Sequence, residues 1–239
     1  MPFLDCEDRK RVLQIAFALT IHDKKKLHVQ LMKYKKSIDE WQRNKKENKG
    51  SQRYYNRRYN NESSEPLFFN EISAESHRRA FLILDAIFYA VEKLGGYIND
   101  DLSMRVKADT VKIRIAESQD KVKHEITKQE ARELVEYNDN IKRYLWVSKP
   151  KIRKYDYIYN GMLRIVFSDG EYIRDTESEK LEDRLGDVLL RVYEKSNDAR
   201  IQRERWEEEE RRRKEEARRA EALKKRKKEE IQRTKALLN

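Results

Sequence analysis

Four histidines, one cysteine and a dense population of carboxylates are the side chains from which this chain would have to build any catalytic chemistry. No two of His22, His28, His77 and His124 stand four apart on a helix and none neighbours a cysteine, so the spacing of a zinc site is missing. His22 and His28 read as surface histidines. Cys6 would act as a nucleophile only with a base and an electropositive pocket around it, and a half-buried thiol is the plainer expectation. With 6 glycines the sequence has no phosphate-cradling loop, no dinucleotide fingerprint and no GxSxG elbow. Asp169, Glu177, Glu179 and Lys180 can be arranged as metal-dependent nucleases arrange carboxylates and a lysine around magnesium. The same acids suit a helix N-terminus, and in a chain of 44 acids and 55 bases such groupings recur by composition. The expectation is a non-enzyme with no catalytic residue, no metal ligand and no cofactor; a nuclease ranks third among the functional readings.

Binding chemistry is better represented. The formal net charge is +11 and the pI about 9.5, a balance that favours acidic partners, because neutralising phosphates releases condensed counterions. Arg53, Tyr54, Tyr55, Arg57, Arg58 and Tyr59 interleave cations with rings, the pairing that stacks bases while it neutralises phosphates; the alternative is a loop that happens to hold tyrosines. Lys149, Lys151, Arg153 and Lys154 form a second basic stretch. It runs into Tyr155, Asp156 and Tyr157, where Asp156 either binds a partner or satisfies backbone amides in a tight connection.

The elements that must position these residues follow from apolar spacing. Val12, Ile15, Ala16 and Leu19 make one helical stripe, and Leu27, Leu31, Tyr34, Ile38 and Trp41 a second, so residues 1–42 read as a helical hairpin. Residues 43–72 are read as a basic flexible linker, since they have few aliphatic side chains to offset the entropy of ordering. A helix opening at Ser73 and carrying Ala80 to Leu94 is wide enough in its apolar face to be a core helix, closed by Gly95-Gly96. The period then falls to two. Leu102, Met104 and Val106, then Val111, Ile113 and Ile115, predict a hairpin turning at Lys107-Ala108-Asp109. Thr127-Lys128-Gln129-Glu130 spells a capping box and so a short helix to about Tyr144. Leu163, Ile165 and Phe167, a Ser168-Asp169-Gly170 turn and Tyr172-Ile173 add strands to the same sheet.

From about Thr176 a helix is expected to continue to the end of the sequence. Leu181, Leu185, Val188, Leu189, Val192 and Tyr193 anchor it to the body that spans residues 73–198. Over residues 199–239 the apolar residues thin out and no heptad seam persists, which argues against a two-stranded coiled coil. Glu207 to Glu210 each precede a cation in Arg211 to Lys214 by four residues, the favourable order for ion pairs on a single helix. At about 1.5 Å per residue this helix would extend on the order of 90 Å. The fold class is α+β: a helical hairpin and a core helix packed on a small antiparallel sheet, with a long charged C-terminal helix.

Lys154-Tyr155-Asp156-Tyr157 with Ile158 to Ile165, Asp175-Thr176 and Leu181-Glu182-Asp183-Arg184-Leu185-Gly186-Asp187 resembles a family of uncharacterised bacterial proteins. The likeness takes in the helix from Arg78 to Gly95 and the Glu/Arg-rich tail, covers most of residues 73–239, and extends loosely to residues 9–41. Longer members of that family begin with a helix-turn-helix, for which this sequence is expected to have no counterpart. The family implies no activity, cofactor or substrate; it implies a role near DNA, in mobile-element or defence settings. The expectation is therefore a non-enzymatic, sequence-nonspecific accessory protein whose partner is DNA or RNA. An adaptor that docks another protein along its C-terminal helix, with Leu237-Leu238 as an end point, is the alternative. No membrane span, signal peptide or small-molecule substrate is evident, which places the expected location in the cytoplasm.

Overall fold

The structure, a computed structural model, describes residues 1–21, 26–51, 66–142, 144, 146 and 148–237. The protein is α+β. Helices α1 (Cys6–Phe17), α2 (Val29–Ser51) and α3 (His77–Lys93) precede strands β1 (Tyr97–Ile98), β2 (Met104–Val106), β3 (Asp109–Val111) and β4 (Ile113–Lys123). Helix α4 (Lys128–Ile141), strands β5 (Tyr155–Phe167) and β6 (Tyr172–Arg174), and helix α5 (Leu185–Leu237) complete the order. Among the described residues no helix is long and apolar enough to cross a membrane.

The strands form two antiparallel sheets, β1-β2-β3 and β4-β5-β6, where a single sheet was expected. The chain changes sheets at Lys112: Val111 pairs with Met104, while Ile113 pairs with Phe167. Alternation in the sequence gives the side-chain period but not the pairing partner, so it cannot reveal this change.

The chain gathers into two compact units. One comprises residues 1–19, 87–112 and 186–239, and the other residues 20–86 and 113–185, so α3 contributes to both. In the first, Val12, Phe88, Val91, Met104, Val188 and Val192 are buried. Lys107 and Ala108 turn the β2–β3 hairpin, Lys107 at φ 56°. Gly95 closes α3 at φ +82°, in the left-handed region where a Cβ is disfavoured. Gly186 lets α5 approach α1: a Cβ there would sit 2.6 Å from the carbonyl oxygen of Ala16. On α5, Arg203 embraces the buried Asp109 with contacts of 2.8 and 3.2 Å. Further along, Glu209–Arg213 and Glu210–Lys214 pair as expected, at 2.9 and 2.7 Å, while Glu207 turns back to Arg203 and Arg212 lies near Glu216. The helix runs 53 residues, about 80 Å at 1.5 Å per residue.

In the second unit Leu31, Ile38, Ile83, Leu84, Ile115, Leu163 and Ile165 are buried. Helix α2 continues past Trp41 to Ser51, through residues expected to open a linker. Lysine, arginine and glutamate in that stretch are good helix formers, so propensity extends what burial began. The start of α2 is held by its preceding residue. His28 is buried, and its backbone N–H donates to the buried Asp85 at 2.5 Å. Helix α3 begins at His77, four residues later than expected, because Ser73 to Ser76 form a turn whose first amide donates to Glu117 at 2.7 Å.

Candidate nucleic-acid interface

A buried carboxylate organises the base of the site. Asp175 is 1% exposed and accepts four hydrogen bonds: from Arg79 at 2.6 and 2.9 Å, and from the amides of Leu163 and Leu181 at 2.8 and 2.7 Å. Arg79 also grips Glu182 and donates to the carbonyl of Gly161 at 3.1 Å. Burial opposes ionisation of Asp175, but Arg79 and the two amides outweigh it and hold the carboxyl below its ordinary range. The cluster is fully paired, so it ties strands to α3 rather than offering a reactive group. Glu117 does the same at the β4 bulge, accepting from Ser73 and from Gly161 at 2.6 Å.

Beyond that bulge the β4–β5 hairpin changes character. Residues 119–123 of β4 and 155–160 of β5 include no buried residue, and neither does α4, which the hairpin carries. The register sets Tyr157 opposite Lys121, Tyr155 opposite Lys123 and Tyr159 opposite Gln119. Directly opposed residues share a face, so these six side chains line one side of the hairpin. Tyr155 and Tyr157 are 45% and 63% exposed. The Lys121 ammonium stands 4.1 Å from the centre of the Tyr155 ring, a cation–π contact made on the diagonal. Lys149, Lys151, Arg153 and Lys154 enter β5 directly before these tyrosines and are all exposed.

On the opposite face of the hairpin, Asp156 meets His124. Nδ1 of His124 lies 2.7 Å from Asp156 and Nε2 lies 2.9 Å from Glu130 on α4, with the imidazole side chain only 4% exposed. Arg153 approaches the other oxygen of Asp156 at 3.1 Å. Glu130 is also the N3 residue of the expected capping box, completed by Thr127. Hydrogen bonds donated by the ring to Glu130 and then to Asp156 raise the His124 pKa. The backbone amide of Thr127 and the imidazole lower Glu130 to about 2. Asp156 is thus satisfied by two side chains and not by the backbone amides considered from sequence.

The other sequence-derived candidates separate. Arg53, Tyr54, Tyr55, Arg57, Arg58 and Tyr59 lie outside the described residues, as do His22 and Leu238. Cys6 is exposed rather than half-buried, because it opens α1 on the solvent side. Asp169 accepts the Glu171 amide at 3.2 Å inside the β5–β6 turn, and Glu179 lies 3.9 Å from Arg184. Among the described residues no three acidic, histidine or cysteine side chains converge on a metal-sized site. Missed by sequence reasoning were Lys121 and Lys123, whose role depends on pairing with tyrosines more than thirty positions away. Comparison of the chain with protein-family models, with curated proteins and with solved structures finds no match.

Proposed function

We propose that this protein is a non-enzymatic accessory protein that binds nucleic acid without reading sequence, through the outer half of the β4–β5 hairpin. The observation that carries the reading is the paired exposure of Tyr155 and Tyr157 with Lys121 and Lys123 on one strand face. Rings offer every base a surface to stack on, and lysines neutralise the phosphates between them. Lys149, Lys151, Arg153 and Lys154 extend the positive charge along the approach to β5. An antiparallel ribbon with flat rings suits single strands, whose bases are free to splay, better than a closed duplex. The resemblance of the Lys154–Tyr157 and Leu181–Asp187 words to a bacterial family that acts near DNA agrees with this reading, and with a cytoplasmic location in a mobile-element or defence setting.

The test is retention of labelled single-stranded and duplex DNA and RNA at two salt concentrations. Salt-sensitive retention of single strands, without strand cleavage, is the expected result. No retention at low salt would remove the reading.

A protein partner is the second reading. Trp206, Leu223 and Ile231 are 62%, 56% and 57% exposed along α5, apolar groups on an otherwise charged helix that suit an adaptor surface.

A further inference from the structure

Tyr159 continues the face of Tyr155 and Tyr157, two residues further along β5 and opposite Gln119. Unlike its two predecessors it is only partly exposed, because it forms one wall of a groove of about 570 Å³. The other walls come from Phe69, Phe81, Ile38, Ile72 and His77. The His77 ring lies 5.8 Å from Phe69 and 6.1 Å from Phe81, centre to centre. The hydroxyl of Tyr159 donates to the carbonyl of Asn70, which fixes the short turn that presents Phe69. Lys35 and Asp39 also line the groove.

We infer that this groove is a nucleobase pocket at the inner end of the tyrosine face. The inference rests on the nucleic-acid reading above and deepens it. Successive same-face positions on a strand stand about 7 Å apart, so bases stacked at Tyr155 and Tyr157 would place a following nucleotide at Tyr159. There the open platform becomes an aromatic-walled cleft, of a size that fits a planar heterocycle with part of its sugar. Lys35, also on the groove lining, is the cation inferred to meet the attached phosphate.

The groove also leaves a hydrogen-bonding capacity unused. Nε2 of His77 is buried and has no partner among the described residues, an arrangement native interiors avoid. His77 lines the groove, so the edge of a base held there is the partner inferred for this nitrogen. A neutral imidazole nitrogen donates or accepts according to tautomer, so it can meet any base and imposes little sequence choice. That agrees with a nonspecific binder.

Photocrosslinking of the full chain to a single-stranded oligonucleotide carrying 5-iodouracil tests the pocket, with peptides mapped by mass spectrometry. Crosslinks are expected at Phe69, Tyr159 or His77 as well as at Tyr155 and Tyr157. Ala74 is exposed on the groove wall, so Ala74→Phe fills the space without removing core packing. It should cut the groove crosslinks about tenfold and leave those at Tyr155 and Tyr157 intact. Crosslinks confined to Tyr155 and Tyr157, or groove crosslinks that survive Ala74→Phe, would overturn the pocket while leaving the binding face standing. Absence of both crosslinking and retention would overturn the two together.

Discussion

His124 and Asp156 stand 2.7 Å apart, ring nitrogen to carboxylate, the histidine one residue past the end of β4 and the aspartate near the start of its partner strand β5. With Glu130 2.9 Å from the other ring nitrogen, the imidazole has an acceptor at each end. That geometry favours the doubly protonated ring, in which both nitrogens donate. Helix α4 has no buried residue; the His124 bridge ties its Glu130 to Asp156 on β5, while the Thr127–Glu130 cap closes the helix's own N-terminus.

The bridge makes the attachment pH-dependent in a stated direction. The folded pKa of His124 is raised from 6.5, so its contribution is fully present below 6.5 and is lost as pH rises through the folded value. Glu130 works in the opposite sense. Its contribution is present above 4.5 and is lost as pH falls through about 2. The bridge is therefore complete between roughly 4.5 and 6.5. An NMR titration should give His124 a midpoint above 6.5, with α4 amides exchanging faster once that midpoint is passed. A midpoint at or below the ordinary histidine value would contradict the geometry.

Removing the buried carboxylate should be costly. In Asp175→Ala the amides of Leu163 and Leu181 lose their acceptor and Arg79 keeps only Glu182 and a carbonyl. Breaking a buried pair from one side typically costs about 3–5 kcal/mol. Urea unfolding should show a loss near the lower end of that range, since Arg79 is partly open to water. A loss under about 1 kcal/mol, the value of a surface pair, would mean the cluster is not structural.

Gly186 gives a case in which propensity and packing disagree. Alanine is a better helix former than glycine by about 1 kcal/mol. At this position, however, its Cβ would sit 2.6 Å from the Ala16 carbonyl oxygen, a backbone atom that cannot swing aside. Overpacking of this kind costs about 1–3 kcal/mol, so Gly186→Ala should lower the thermal midpoint. A raised midpoint would show that α1 and α5 can part at no cost.

Much of this architecture was legible in the sequence where local chemistry decides. The capping box at Thr127, the glycine stop of α3 and the Ser168-Asp169-Gly170 turn each depend on neighbours within a few residues, and each formed as spelled. Two of the ion pairs expected on the tail helix also formed, Glu209–Arg213 and Glu210–Lys214. What could not be read was pairing at a distance. The division of strands between two sheets at Lys112, the grip of Arg79 on Asp175 and the facing of Lys121 with Tyr157 all join residues remote in sequence. Asp156 shows the limit well. Its setting among rings and cations marked it as unusual, yet only the strand register brings His124 to it.

The central claim is that the Tyr155/Tyr157 face holds nucleic acid, and fluorescence anisotropy with a labelled single strand tests it most directly. The comparison is between the wild type and a Tyr155→Ala/Tyr157→Ala variant, each at two salt concentrations. Both rings are solvent-exposed, so the variant should keep its fold by circular dichroism. Base–ring stacking contributes about 1–3 kcal/mol per base, so the variant should bind at least tenfold more weakly. Its salt dependence should be nearly unchanged, because the lysines remain. Equal affinity in a folded variant, or no binding by the wild type at low salt, would contradict the account.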